Sequence, residues 1–224
     1  MPNATLERPL IQVAGIADAE EAALLVACGV RFLGFPLGLD VHREDLTRDR
    51  AAAVIAALPP GVRAVLITYR KRAREIEALC DLLGAGIVQV HGEIDVGEVA
   101  KLKRTVVKSL VVGRDDLDAT VEAFSPHVAA FITDTFDPAT GASGATGKTH
   151  DWRISRRLVE TSPRPVILAG GLTPRNVRQA LLEVRPAGVD VHTGVEGADG
   201  RKERAKVERF VAEARAAFAE IGAR

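Results

Sequence analysis

Two stretches decide the fold: PVILAGGLTPRNV at residues 165–177 and GVDVHTGVE at residues 188–196. Each is a short apolar, β-branched run that stops at glycines. A continuous apolar run such as Val166-Ile167-Leu168 is the pattern of a strand covered by helices on both faces. The glycines that follow leave backbone N–H groups uncovered, and a helix start is expected next. Free N–H groups and the positive end of a helix suit a phosphate dianion, so Gly170, Gly171, Thr193 and Gly194 are candidate phosphate-binding positions. Pro174 fits a first helical turn, and Thr173 is read as its N-cap.

Outward from these segments, strand-like and helix-like runs alternate eight times. The strand candidates are residues 10–15, 31–35, 63–68, 86–91, 105–110, 128–134, 165–169 and 188–192. Between them lie helical patterns such as residues 18–28, 72–83 and 174–184, with a closing helix over 202–218. Eight βα units without a composition break predict one (β/α)₈ barrel, a TIM barrel, spanning residues 1–224 as a single α/β domain. The longest irregular stretch, residues 135–150, contains GASGATGKTH and is rich in small residues that let a loop approach a ligand closely.

Composition narrows the function classes. The chain has 224 residues, 30 basic and 30 acidic, and is 47% hydrophobic. This balance gives no reason to expect a nucleic acid or a membrane surface as partner. No signal-peptide pattern or long apolar run is present, so the cytoplasm is the expected compartment. Cys28 and Cys80 fall inside amphipathic helical patterns and read as structural thiols. His42, His150 and His192 match no metal-ligand spacing, so neither a metal nor a cofactor is expected.

Barrel chemistry sits at the C-terminal ends of the strands. That filter selects Ala14, Arg43, Tyr69, His91, Lys108, Asp134, Lys148, His150, the glycine turns and His192. Asp134 ends an apolar run and faces the expected mouth, where a desolvated carboxyl is able to donate a proton. A loop-capping aspartate is the alternative. His91 ends the fourth strand as a candidate acid/base or a histidine holding its loop. Lys108, inside VVKSLVV, either reaches the mouth or pairs with a carboxylate.

At this point the chain resembles the phosphoribosylanthranilate isomerase family of tryptophan biosynthesis. The resemblance rests on LGF (33–35), VQVHGE (88–93), Asp134, ATGKTHDW (145–152), ILAGGLTPRNV and GVDVHTGVE. It implies a (β/α)₈ barrel, monomeric or homodimeric, that performs an Amadori-type aldose-to-ketose isomerisation of a phosphorylated ribosylamine. It implies Asp134 as the general acid, Arg43 at the anthranilate carboxylate, and Thr146 and Gly147 near the substrate. The family's basic cysteine falls at Ala14 and its lysine at Gln12, so the family pattern is broken at the base. His42, His192, Asp40 and Tyr69 are the candidates to replace it. Three readings stay open: the family reaction with a relocated base, an isomerase on a related phosphosugar, and an inactive phosphosugar-binding or regulatory paralogue.

Overall fold

The structure, a computed structural model, describes residues 6–39, 44, 46–137, 142–143 and 149–222. Eight parallel strands close into a barrel: β1 (Leu10–Ala14), β2 (Phe32–Pro36), β3 (Arg63–Thr68), β4 (Ile87–Val90), β5 (Thr105–Val112), β6 (Ala130–Asp137), β8 (Val166–Leu168) and β9 (Gly188–Val191). The β5–β6 and β1–β9 pairings complete the circle. An added two-residue strand, β7 (Ala142–Ser143), pairs antiparallel with the end of β6. It lies in the stretch expected to be irregular, because Phe136 and Asp137 continue β6 beyond the barrel rim and offer an edge to pair with.

Helices α1 (Ala19–Ala27), α2 (Arg48–Ala56), α3 (Ala73–Leu83), α4 (Val96–Val99), α5 (Leu117–Phe124), α6 (Trp152–Thr161), α7 (Val177–Val184) and α8 (Arg204–Gly222) surround the strands. Their starts follow from local chemistry. Asp18 accepts the Glu21 N–H at 2.8 Å and caps α1, and Asp116 and Asp151 do the same for α5 and α6. Helix α7 begins later than the sequence suggests. Thr173 closes a preceding turn by accepting the Arg175 N–H at its side chain, 3.2 Å away, so Asn176 becomes the N-cap.

The strands alternate strictly between two apolar environments. Leu10, Ala14, Phe32, Val65, Ile67, Ile87, Val107, Ala130, Ile132, Ile167 and Ala169 form a core inside the barrel. Their neighbours Val13, Leu33, Phe35, Leu66, Val88, Leu110, Phe131, Leu168 and Val189 pack outward against the helices. This period of two is the pleat itself. It settles which polar residues reach the barrel interior: Gln12, Gln89, Asp134 and Asp190 share the inward parity. Lys108 shares the parity of Val106 and Leu110 and is turned toward the helices.

Candidate active site

Asp134 stands near the end of β6 on the inward face, 6% exposed. Its Oδ1 accepts the Thr135 backbone N–H at 2.8 Å. Its Oδ2 lies 3.3 Å from His91 Nδ1. His91 follows β4, is itself buried, and packs against the Tyr69 ring with centroids 5.2 Å apart. Burial and the neighbouring Asp134 push the Tyr69 hydroxyl up to about 12, so it holds its proton at neutral pH.

Behind this pair runs a line of buried amides. Gln89 Nε2 lies 2.7 Å from His91 Nε2, and Gln12 Nε2 donates to Gln89 Oε1 at 2.9 Å. Gln12 sits in direct register with Asp190 on the neighbouring strand, on the same inward face. Burial pushes the Asp190 carboxyl up to about 7, and its Oδ1 has no hydrogen-bond partner.

The two glycine turns meet backbone to backbone. Gly170 and Gly171 after β8 have φ of 102° and 60°, in the left-handed region that suits glycine. After β9, Thr193–Val195 form one 3₁₀ turn rather than the α-helix expected there. A methyl on Gly194 would overlap the Leu172 carbonyl oxygen and stand 2.9 Å from the Leu172 carbonyl carbon. Glycine is thus required here to let the turns touch. The β8 turn is tied down by Asn176, whose Oδ1 accepts the Thr173 N–H at 2.7 Å and whose Nδ2 donates to Gly171 O at 3.0 Å.

His192 is drawn into the same mouth. Its ring lies against Gly15, where a methyl would overlap Nε2 and stand 2.7 Å from Cε1. Gly15 follows Ala14 in the chain, so the imidazole occupies the space beside the position that lacks a base. Glu196 Oε1 lies 3.5 Å from His192 Nε2 and also receives the buried Lys202 ammonium at 2.6 Å. Lys202 Nζ donates to the His192 carbonyl oxygen at 3.3 Å, and its backbone N–H reaches the buried Glu21 carboxylate at 2.7 Å.

Other residues singled out by the sequence are placed differently. Lys108, read as a substrate-binding candidate, has the outward parity of β5, and its ammonium lies 5.6 Å from the Phe124 ring centroid on α5. Its ammonium donates to Gly92 O at 3.2 Å and Ser109 O at 2.9 Å, anchoring the loop after β4. Burial lowers its pKa to about 8. His150 bridges Thr135 Oγ1 at 3.0 Å and Ser155 Oγ at 2.6 Å, and burial lowers its pKa, so it braces β6 against α6. Asp40, His42, Arg43, Thr146, Gly147 and Lys148 lie outside the described residues. Among the described residues no cluster of three metal-ligating side chains occurs, and no helix is long and apolar enough to cross a membrane.

Sequence reading did not select Gln89, Asp190 or Glu196 as site candidates, and it singled out Lys202 only as part of the pattern after GVDVHTGVE. The signal for the first two was available: each stands two residues before a selected histidine, and a strand brings i and i+2 to one face.

Comparison with known proteins places this geometry. The family model described as PRAI, N-(5'phosphoribosyl)anthranilate (PRA) isomerase, matches residues 12–213. The chain is 36% identical over 217 residues to N-(5'-phosphoribosyl)anthranilate isomerase 2 of Methanosarcina mazei, covering 94% of this chain and 96% of that one. It is 38% identical over 210 residues to the isomerase of Haloferax volcanii, covering 92% and 93%. Among solved structures, the Thermotoga maritima phosphoribosyl anthranilate isomerase superposes with a TM-score of 0.80 at 27% identity, covering 92% of this chain and 98% of that one. A phosphoribosyl anthranilate isomerase in complex with reduced 1-(o-carboxyphenylamino)-1-deoxyribulose 5-phosphate superposes with a TM-score of 0.78 at 25% identity, with the same coverage. The chain belongs to the N-(5'-phosphoribosyl)anthranilate isomerase family, whose members are intramolecular aldose–ketose isomerases.

Proposed function

We propose that this protein isomerises N-(5'-phosphoribosyl)anthranilate, with Asp134 as general acid and His192 as the base that stands in for the missing cysteine. The observation that carries this reading is Asp134. It is a buried carboxyl at the barrel mouth, with one oxygen on a backbone N–H and the other facing an imidazole. The relative solved with a reduced deoxyribulose phosphate supplies the substrate class.

The chemistry needs one proton delivered and one removed. Asp134 gives its proton to the ring oxygen as the C1'–O bond breaks, and the amine lone pair forms a C1'=N iminium. His192 takes the C2' proton, leaving an enolamine. Transfer of the enol proton to C1' yields the 1-amino-1-deoxyketose, so atoms and charge balance. The strands β6 and β9 are separated only by β8, which sets them about 10 Å apart, two inter-strand spacings. A ribose fits between side chains arriving from those two strands.

Imidazole accepts protons near neutral pH, with an ordinary pKa of about 6.5. Tyr69 keeps its proton. In this reading the phosphate rests on the Gly170–Gly171 and Thr193–Gly194 backbones, which holds the reacting carbons in place. A second reading is favoured by Ala14, which has no proton to accept or give: the protein binds a phosphosugar without turnover.

The test is turnover of N-(5'-phosphoribosyl)anthranilate by the purified protein, followed by loss of anthranilate fluorescence. The expected result is turnover that falls by about 10²–10⁴-fold in Asp134→Asn. Absence of wild-type turnover, with binding of ribose 5-phosphate retained, would support the second reading.

A further inference from the structure

We propose that Gln12 and Gln89 are positioning residues: they form a one-way line of hydrogen bonds across the barrel interior that fixes His91 as its Nδ1–H tautomer, with Nδ1 on the side of the ring nearest Asp134. The direction follows from donor chemistry. The nitrogen of a glutamine amide donates and does not accept. Gln89 Nε2, 2.7 Å from His91 Nε2, therefore requires that nitrogen to be the acceptor. In a neutral imidazole the hydrogen then sits on Nδ1, the atom 3.3 Å from Asp134 Oδ2.

The remaining member stops the Gln89 amide from turning over. Gln12 Nε2 donates to Gln89 Oε1 at 2.9 Å, so a flipped Gln89 would set two NH₂ groups against each other. Gln12 stands beside Asp190, its register partner on β9. Reversing the Gln12 amide would set its oxygen against Gln89 Oε1, acceptor against acceptor, and lose that contact. Gln12 and Gln89 are 2% and 3% exposed, so water does not supply an alternative partner.

For the isomerisation, an Nδ1–H places the positive end of the ring dipole 3.3 Å from Asp134 Oδ2 as the carboxyl's proton leaves for the ring oxygen. That consequence rests on the proposed function, whereas the tautomer itself does not. Nitrogen-15 and carbon-13 NMR of the labelled histidines reads the tautomer directly in the intact protein. The expected result is His91 protonated on Nδ1 in the wild type. Gln89→Leu should give a mixture of tautomers, and kcat on N-(5'-phosphoribosyl)anthranilate should drop about 10–100-fold with KM unchanged. At position 12, Gln12→Lys retains a donor to Gln89 and should keep the wild-type tautomer, whereas Gln12→Leu should lose it. A merely structural role would not separate these two variants in that way. An Nε2–H tautomer in the wild type overturns the proposal, and so does an unchanged tautomer in Gln12→Leu. The Nδ1–H tautomer in a protein without turnover would sink the proposed function and leave the line intact.

Discussion

Replacing Gly194 by alanine tests the phosphate site through its backbone, without introducing charge. The added methyl overlaps the Leu172 carbonyl oxygen and stands 2.9 Å from the Leu172 carbonyl carbon and 3.3 Å from Thr173 Cα. All three atoms are main chain, held by the Asn176 bonds to Thr173 and Gly171, so no side chain is able to swing aside. Non-bonded carbons settle at about 3.5–4.0 Å, so the β8 and β9 turns must part by about 1 Å. Overpacking of this kind costs about 1–3 kcal/mol. In a chain of this size each kcal/mol lowers Tm by about 2–4 °C. Parting the turns pulls their backbone N–H groups off the phosphate, and each lost charge-assisted hydrogen bond costs about 1.5–3 kcal/mol, or about 10–100-fold in affinity. Calorimetric titration with ribose 5-phosphate measures the affinity, and a thermal melt measures the stability. Gly222→Ala, where an added methyl meets nothing within 4 Å, serves as the neutral control. Wild-type affinity for ribose 5-phosphate in Gly194→Ala would refute the assignment of the phosphate to these turns.

Three further outcomes are expected. Burial pushes the Asp190 carboxyl up to about 7 from the ordinary 3.8, so the native state holds an extra proton between those pH values. Its contribution is therefore fully present below about pH 4 and is lost as pH rises through 7, amounting to about 4 kcal/mol. Denaturant melts against pH should show this decline in the wild type relative to Asp190→Asn; parallel curves would contradict the buried carboxyl. Lys202→Met leaves Glu196 partly buried without its ammonium and should cost about 3–5 kcal/mol in urea unfolding, with a cost near zero counting against the ion pair. Ala14→Cys should leave turnover little changed if His192 takes the proton; a gain of about 10²-fold or more would show the base position to be vacant in the wild type.

The barrel was legible because its strands are covered on both sides. Runs such as VVKSLVV and VILAG are continuous apolar, and the eight expected strands all appear within a few residues of their observed limits. The same continuity hid orientation. In an amphipathic strand Lys108 would reveal its face by alternation, but both faces of β5 are buried, and only the parity shared with Val106 and Leu110 shows it turned outward. Asp134 was readable as a site residue because a carboxyl at the end of an apolar strand has few other reasons to be there. The pairing of Gln12 with Gln89 was not, since it crosses the barrel between β1 and β4, and local spacing carries no record of a contact between residues 77 positions apart. The placement of His192 over Gly15 was likewise invisible: it depends on the β1–β9 closure and on a 3₁₀ turn that redirects the chain after β9.

The central claim is a proton removed from C2' by one side chain and delivered to the ring oxygen by another. Its most direct test is carbon-13 NMR of the reaction in D₂O, using N-(5'-phosphoribosyl)anthranilate labelled at C1' and C2'. The account predicts a C2' ketone signal and one deuteron on C1' in the wild type, with both abolished or slowed by orders of magnitude in Asp134→Asn and in His192→Gln. Ketone formation at the wild-type rate in either variant would contradict it.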